Sequence, residues 1–187
     1  MRTILFTLFA LCLLNGNKVL AQDAPKPASE LLETGYVKAI KENKAVLLMF
    51  HASWCGWCHR MDKSLNDSSV KKYFDDHFVI VHLDVYEQPE KKNLENPGAE
   101  DVLKKYNGND KGLPYWYVFD KNAIKMADSE MPPEKPNPDK TANNNIGCPA
   151  TENEVQYFLD ILRKTATLSV AELESIRLVF RKNDSEH

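Results

Sequence analysis

The sequence predicts an α/β fold in which a central mixed sheet carries helices on both faces. Residues 45–50 form a continuous apolar run whose length suits a strand buried on both sides. In the first half of the chain, apolar runs of this kind alternate with segments of helical periodicity. A strand hairpin and amphipathic helices follow in the second half, which favours a sheet of mixed direction.

The first helix is predicted over residues 29–42, with Ser29 as its N-cap. After the first strand, a helix is expected over residues 56–65, and a polar break separates it from a short helix around residues 70–74. Residues 78–85 are a second apolar run and are predicted to form a second core strand.

The remaining strands are expected to form a hairpin. Residues 86–98 are charged and contain prolines, which predicts a surface loop, and residues 99–106 have a helical pattern. The aromatic run at residues 115–119 predicts a third strand. A polar turn at residues 120–122 then leads into a short fourth strand at residues 123–126.

The C-terminal part is predicted to be a long loop followed by two helices. Residues 129–149 are rich in proline and asparagine with few apolar residues, which predicts a mobile loop. Thr151 and Glu154 have the spacing of a capping box for a helix over residues 151–164. Ser169 begins an extra C-terminal helix, whose apolar positions are Leu173, Ile176, Val179 and Phe180.

The N-terminus has the pattern of a secretory signal peptide. Arg2 precedes an apolar segment at residues 4–14 that is too short to span a bilayer. Small residues at positions 19–21 resemble a cleavage site, so we expect residues 1–21 to be removed and the mature chain to begin at Gln22. The expected localisation is therefore the periplasm or the extracellular space.

Two other interpretations of the N-terminus are an uncleaved membrane anchor and a lipoprotein modified at Cys12. The polar residues 15–18 and the short apolar core argue against the anchor. The apolar run continues past Cys12, which argues against the lipoprotein. We therefore expect contact with the membrane only through the signal peptide.

Composition limits the function of the mature chain. The full chain has 24 basic and 27 acidic residues, and the predicted signal peptide contains only Arg2 and Lys18 of these, so the mature net charge is −5. No basic block indicates nucleic-acid binding. Three of the four cysteines remain, too few for a disulfide-stapled scaffold, and the remaining length is enough for one domain with its own core.

The most informative motif is WCGWCH at residues 54–59, directly after the first apolar run. Cys55 and Cys58 are three residues apart at the predicted start of a helix, so both sulfurs can lie on one face and close a disulfide. The helix N-terminus offers Cys55 unpaired N–H groups and a positive dipole end, which favour its thiolate. The arrangement of strand, cysteine pair and helix predicts a redox centre.

Zinc and haem are the alternative interpretations of this motif. A zinc site needs a second ligand pair, and Cys148 and the scattered histidines lack the spacing for one. The pattern from Cys55 to His59 also fits covalent haem attachment, but the preceding strand argues against the mostly helical surroundings of such haems. We therefore expect no metal and no cofactor.

The chain resembles the thioredoxin superfamily, and within it the exported, thioredoxin-like branch. The resemblance is carried by KAVLLMFHASWCGWCHRM at residues 44–61, by the strand at residues 78–84, and by Gly-Leu-Pro at residues 112–114 before the strand YWYVF. With the amphipathic helix that follows, it extends over residues 29–164. It implies a thioredoxin-like domain over residues 29–187, preceded by a linker at residues 22–28.

The resemblance also implies roles for individual residues. Cys55 would be the nucleophile and Cys58 the resolving thiol. Pro114 would be a cis-proline beside the disulfide, and Leu113 would expose backbone groups to an extended substrate. The implied substrate-binding residues are Trp54, Gly56, Trp57, Leu113 and Pro114.

One position departs from the family pattern. Met49 stands six residues before the first cysteine, where thioredoxin has a buried aspartate used in proton transfer. The proton would then pass to water or to another group. The remaining histidines, His51, His59 and His82, are expected to be structural or exposed, and Cys148 to be an unpaired thiol.

Together these features predict an exported thiol–disulfide oxidoreductase that acts on cysteines of other exported proteins. The Trp-Cys-Gly-x-Cys context resembles reductases more than strong oxidants, which makes reduction the expected direction. A membrane-bound or soluble redox partner would then be needed. The rival hypothesis is a redox-inert module that holds extended chains in the groove at Pro114.

Overall fold

The structure, a computed structural model, describes residues 24–133 and 144–186 of the chain. Within these ranges it contains one four-stranded sheet, formed by β1 (Ala45–His51), β2 (Phe78–Asp84), β3 (Tyr115–Phe119) and β4 (Lys125–Asp128). The strand order is β2-β1-β3-β4; β1 runs parallel to β2, and the other two pairs are antiparallel. The mixed sheet confirms the predicted fold class.

Six α-helices lie in the described part of the chain: α1 (Ala28–Glu42), α2 (Gly56–Leu65), α3 (Lys71–His77), α4 (Ala99–Lys105), α5 (Glu152–Thr165) and α6 (Val170–Phe180). Two 3₁₀ helices span Pro89–Leu94 and Arg181–Glu186. None of the described helices has both the length and the apolar character needed to cross a bilayer.

β1 is the centre of the fold because its side chains alternate between two apolar layers. Leu47 and Met49 face the layer that contains α2, α3, α5 and α6. Val46, Leu48 and Phe50 face the layer that contains α1 and α4. A strand covered on both faces must be apolar at every position, which explains the unbroken run in the sequence.

On the face of the sheet that α1 and α4 cover, α1 approaches β2 closely at Gly35. A Cβ atom added to Gly35 would lie 2.6 Å from Cγ2 of Val81. Only a residue without a side chain allows this helix to lie so near the sheet.

The layer under α5 and α6 is dominated by aromatic rings. The ring of Phe158 in α5 lies with its centroid 5.0 Å from Phe180, 5.5 Å from Trp116 and 6.4 Å from Phe74. All four side chains are essentially inaccessible to solvent. This ring cluster joins the extra C-terminal helix to the sheet, so α6 is part of the core.

The structure corrects several predicted element ends. α1 begins at Ala28 with Pro27 as its N-cap, so Ser29 lies inside the helix. β2 ends at Asp84, one residue earlier than predicted, and the loop after it contains a 3₁₀ helix.

The fourth strand also lies two residues later than predicted. The backbone N–H groups of Asn122 and Ile124 donate to the carboxylate of Asp120, at 2.9 and 2.8 Å. Ala123 is held at φ 63°, so the turn extends through Ile124 and β4 begins at Lys125.

The predicted loop over residues 129–149 is anchored to the core at both of its described ends, although its composition includes few apolar residues. Ser129 is fully buried, and its backbone N–H donates to the Trp116 carbonyl at 3.0 Å. Ile146 and Cys148 are buried as well. Residues 134–143 of this loop, the predicted signal peptide at residues 1–21 and the start of the predicted linker lie outside the described residues.

We predict that Phe158→Ala lowers the free energy of unfolding by about 3–5 kcal/mol, because it opens a cavity among rings that cannot collapse fully. Urea denaturation followed by circular dichroism measures this change. Val170→Ala is the matched control, since Val170 is 85 % exposed and should change stability by less than about 0.5 kcal/mol. Equal effects for the two variants would contradict the assignment of Phe158 to the core.

Candidate active site

The cysteine pair lies where β1 gives way to α2. Cys55 is the N-cap of α2 in an extended conformation, with φ −81° and ψ 98°, and its N–H donates to the Ala52 carbonyl at 3.0 Å. The N–H of Cys58 points at Sγ of Cys55 from 3.1 Å. The two cysteines form a disulfide with Cα atoms 5.2 Å apart. The predicted spacing therefore places one sulfur at the N–H groups of the helix start.

Two of the predicted substrate-binding residues pack against the cysteines. Cys55 and Cys58 are 3 % and 1 % exposed, and Trp57 and Leu113 cover them. Gly56 is exposed, and no heavy atom lies within 4 Å of where its Cβ would be. The surface beside the disulfide is thus apolar on two sides and open at Gly56.

A groove of about 320 Å³ lies next to this surface. Trp57, Leu113 and Pro114 line one part of it, and residues 145–148 line another. The Leu113–Pro114 peptide bond is cis, as the resemblance implies. Gly147 has φ 54°, a left-handed conformation that favours glycine, and it lies beside the proline ring, since an added Cβ would be in van der Waals contact with Cδ of Pro114 at 3.4 Å.

Asn145 joins the two parts of the groove. Its Nδ2 lies 3.1 Å from the Lys111 carbonyl, 3.3 Å from that of Gly112 and 3.1 Å from that of Pro114. Its Oδ1 accepts from the N–H of Gly147 at 3.0 Å. One side chain therefore fixes the loop that carries Pro114. The sequence offered no signal for this role, because Asn145 lies in an asparagine-rich segment far from the motif.

Trp54 lies outside the groove and is tied to a second loop. It is 50 % exposed, and its indole N–H donates to the Tyr86 carbonyl at 2.8 Å. Glu87, the next residue, is only 4 % exposed and accepts from both the N–H and the hydroxyl of Ser53. Sequence reasoning missed Glu87 because its segment had the composition of a surface loop. The parallel order of β1 and β2 was a usable signal, since loops after parallel strands meet at one sheet edge.

The three histidines singled out in the sequence lie in β1, α2 and β2. Nε2 of His82 donates to Asp62 at 2.9 Å, which confirms His82 as a satisfied structural residue. Burial alone would raise the pKa of Asp62, but the hydrogen bond from His82 and the charge of that histidine lower it below its usual value. His51 differs from the expectation, because no group in the described part of the chain hydrogen-bonds its buried Nε2, which lies 3.6 Å from the Asp84 carboxylate. Burial and the nearby His82 lower the pKa of His51. His59 is exposed, as expected.

Met49 is buried in the layer between β1 and α2. No titratable side chain occupies the position where thioredoxin has its aspartate. Among the described residues, no group of three or more histidine, cysteine, aspartate or glutamate side chains is arranged to hold a metal ion.

Cys148 forms no disulfide within the described part of the chain, as expected, and it is 4 % exposed. The side-chain amide of Asn183 donates to its sulfur at 3.3 Å. Burial raises the pKa of the Cys148 thiol to about 12. Although Cys148 lines the groove, it lacks the ionisation needed for disulfide exchange near neutral pH.

We predict that Cys148 resists alkylation by iodoacetamide at pH 8 in the folded, reduced protein, because almost none of it is thiolate at that pH. Mass spectrometry of the digested protein measures the modification of each cysteine. In denaturant, all three cysteines of the mature chain should react at similar rates. Labelling of Cys148 in the folded state as fast as in denaturant would contradict its burial.

Comparison with known proteins places these features in a family. The sequence profile of the thioredoxin-like family matches residues 28–121, half of the chain. No relative was found among curated proteins.

Solved structures with a similar fold include three bacterial proteins. A disulphide isomerase from Xylella fastidiosa Temecula1 has 23 % identity and a TM-score of 0.45, and the match covers 62 % of this chain and 79 % of that one. The DsbD C-terminal domain from Neisseria meningitidis, in its oxidised form, has 24 % identity and a TM-score of 0.40, with coverage of 56 % and 84 %. A thioredoxin-fold protein from Helicobacter pylori has 18 % identity and a TM-score of 0.40, with coverage of 76 % and 85 %.

Proposed function

The chain belongs to the thioredoxin-like family and is a thiol–disulfide oxidoreductase, and we propose that it is exported and reduces disulfides of other exported proteins. The observation that carries the proposed exchange chemistry is the N–H of Cys58 directed at Sγ of Cys55 at the start of α2. This contact favours a thiolate on Cys55 in the reduced protein, because an N–H donor and the helix dipole both stabilise negative charge. Cys55 is therefore the proposed nucleophile.

The first proposed step is attack by the Cys55 thiolate on one sulfur of a substrate disulfide. A bond forms between Sγ of Cys55 and that sulfur, the substrate disulfide breaks, and its other sulfur leaves as a thiolate that takes a proton from solvent. The protein and the substrate are then joined by a mixed disulfide.

Cys58 is the proposed resolving thiol. After losing its proton, it attacks Sγ of Cys55, which forms the intramolecular disulfide and releases the second substrate sulfur as a thiolate. The substrate gains two electrons and two protons in total, and the Cys55–Cys58 pair loses them. The pair already has the geometry of this product, since the two sulfurs are bonded in the structure.

The groove beside the cysteines is the proposed substrate-binding site. Leu113 and Trp57 offer apolar contacts next to the sulfurs, and Pro114 lines the same groove. Gly56 leaves space for an incoming chain, and the half-exposed ring of Trp54 borders the turn from the other side. An extended polypeptide segment around a cysteine is the ligand that suits this shape.

Repeated turnover requires a second protein partner. Each reduction leaves the Cys55–Cys58 pair oxidised, so a membrane-bound or soluble dithiol must return two electrons to it. The reductive direction is supported by the resemblance of Trp-Cys-Gly-x-Cys to reductase motifs.

We predict that Cys58→Ala accumulates mixed disulfides with its protein substrates, because no resolving thiol remains to release them. Cells producing the tagged variant are treated with acid to stop exchange, and adducts are separated on non-reducing gels. The matched control is the double variant Cys55→Ala/Cys58→Ala, which should give no adducts. Absence of adducts with the single variant would favour the rival hypothesis of a redox-inert module that holds extended chains.

We predict that the full chain, produced in a Gram-negative bacterium, is recovered outside the cytoplasm with Gln22 as its first residue. The expectation rests on the short apolar segment and the small residues before Gln22. Cell fractionation and mass spectrometry of the intact protein measure both properties, and deletion of residues 2–21 serves as the control that should remain cytoplasmic. An unprocessed chain in the cytoplasm would overturn the proposed export.

A further inference from the structure

We propose that Glu87 is a positioning residue that sets the reactivity of Cys55 by holding the turn before it. The Glu87 carboxylate lies beside the turn at residues 52–55, which connects β1 to α2. The inference rests on the proposed function of the cysteine pair. It adds a determinant that lies on a different strand connection from the cysteine motif.

Both oxygens of the Glu87 carboxylate accept hydrogen bonds from Ser53. Oε1 accepts from the backbone N–H of Ser53 at 2.5 Å, and Oε2 accepts from the Ser53 hydroxyl at 2.8 Å. Glu87 is 4 % exposed, so water does not compete for these contacts. A buried carboxylate without such partners would be strongly unfavourable, and the pairing therefore ties Glu87 and Ser53 to each other.

The loop that carries Glu87 is itself fixed to the sheet. The N–H of Val85 donates to the His51 carbonyl at 2.9 Å, which extends the parallel pairing of β1 and β2 by one residue. The N–H of Glu87 donates to the carboxylate of Glu95 at 2.8 Å. The backbone on both sides of the Glu87 side chain is thus fixed, and the carboxylate supports Ser53 from this fixed backbone.

Tyr86 strengthens the same contact. Its backbone has φ 57°, a left-handed conformation that is uncommon for a residue with a side chain. In this conformation its carbonyl accepts from the indole of Trp54 at 2.8 Å. Two consecutive residues of one loop therefore hold the two residues that precede Cys55.

The position of Cys55 depends on this turn. The N–H of Cys55 donates to the Ala52 carbonyl, and Sγ of Cys55 receives the N–H of Cys58 at 3.1 Å. If Ser53 loses its support, the turn can relax and Sγ can move away from the helix N-terminus. A displacement of about 1 Å in a reacting group can cost up to about 100-fold in rate.

The positioning role of Glu87 and its negative charge affect the pKa of Cys55 in opposite directions. A negative charge near Cys55 would disfavour its thiolate, so loss of the charge alone would lower the pKa of Cys55. Loss of the support would raise this pKa, because the N–H of Cys58 would no longer face the sulfur. The other titratable groups around the turn are Asp84, Glu95 and His59. Burial and, to a smaller extent, the Glu87 charge raise the pKa of Asp84, so loss of the Glu87 charge would also favour the ionised form of Asp84.

Two substitutions separate these effects. Glu87→Gln removes the charge and keeps the reach, since its amide can accept from the Ser53 N–H and donate to the Ser53 hydroxyl. Glu87→Asp keeps the charge and shortens the side chain by one methylene group, so it cannot make both contacts. Glu90→Gln removes the same charge from an exposed site in the same loop and serves as the control.

The test measures two quantities for each variant. The first is the rate of alkylation of Cys55 against pH in the reduced protein, read by mass spectrometry of the peptide that contains it. The second is kcat/KM for reduction of a model protein disulfide. We expect Glu87→Asp to move the alkylation profile to higher pH and to lower kcat/KM by about tenfold. Glu87→Gln and Glu90→Gln should keep kcat/KM within about twofold of that of the natural protein, and the alkylation profile of Glu87→Gln should stay in place or move to lower pH.

The opposite pattern, with Glu87→Gln impaired and Glu87→Asp unaffected, would overturn the positioning role, and so would unchanged profiles in both. If Glu87→Asp fails to fold, Ser53→Ala decides, because it removes only the hydroxyl contact and should shift the alkylation profile in the same direction. An unshifted profile in Ser53→Ala would then overturn the proposal. Loss of disulfide reduction in every protein, with the alkylation difference intact, would instead reject the proposed function.

Discussion

The hydrogen bond from the Cys58 N–H to Sγ of Cys55 is the contact on which the rest of the active site depends. It exists because α2 begins immediately after Cys55, so one of the first free N–H groups of the helix, that of Cys58, points at the sulfur. A helix can begin there only if β1 ends at a fixed place. The burial of β1 on both faces fixes where the strand ends, because a shift of one residue along the strand would turn each side chain toward the opposite apolar layer. The position of the sulfur is therefore a consequence of core packing.

Core packing alone leaves the turn and the groove undetermined, and buried polar side chains complete them. Glu87 fixes Ser53 on one side of the cysteines, and Asn145 fixes the loop of Pro114 on the other. Asn183 performs a similar task behind them, because its amide donates to Ser64 in α2 and to the Pro149 carbonyl. Such networks define a unique arrangement when every member is paired, and they are costly when one partner is lost. These buried polar networks lie around the sulfurs, so complete pairing of polar groups is required mainly where the geometry of the cysteines depends on it.

The sequence predicted the parts of this structure that follow from local patterns. The apolar run of β1, the helix that begins at Gly56 and the capping box of Thr151 depend on residues near one another in the chain, and all three are present. The start of α1 and the start of β4 were less predictable, because Pro27 and the Asp120 turn compete with equally plausible local signals. Glu87 and Asn145 could not be identified from their neighbours in sequence. Ser53 and the carbonyls of the Pro114 loop lie more than 30 positions away from them, and only the sheet topology brings these groups together.

The parallel pairing of β1 and β2 explains why Glu87, which sequence reasoning missed, lies beside the turn that precedes Cys55. Both strands end at the same edge of the sheet, so the loop after β2 must pass beside the turn after β1. The first contact is backbone pairing, from Val85 to His51, and the next two are Tyr86 with Trp54 and Glu87 with Ser53. Three consecutive residues of the β2 loop thus contact the segment at residues 51–54 that leads to Cys55. The loop continues the pairing of the two strands beyond the sheet, and the cysteine pair lies at the end of that continuation. In this arrangement, the reactivity of the cysteines is set by the β2 loop as well as by the motif that contains them.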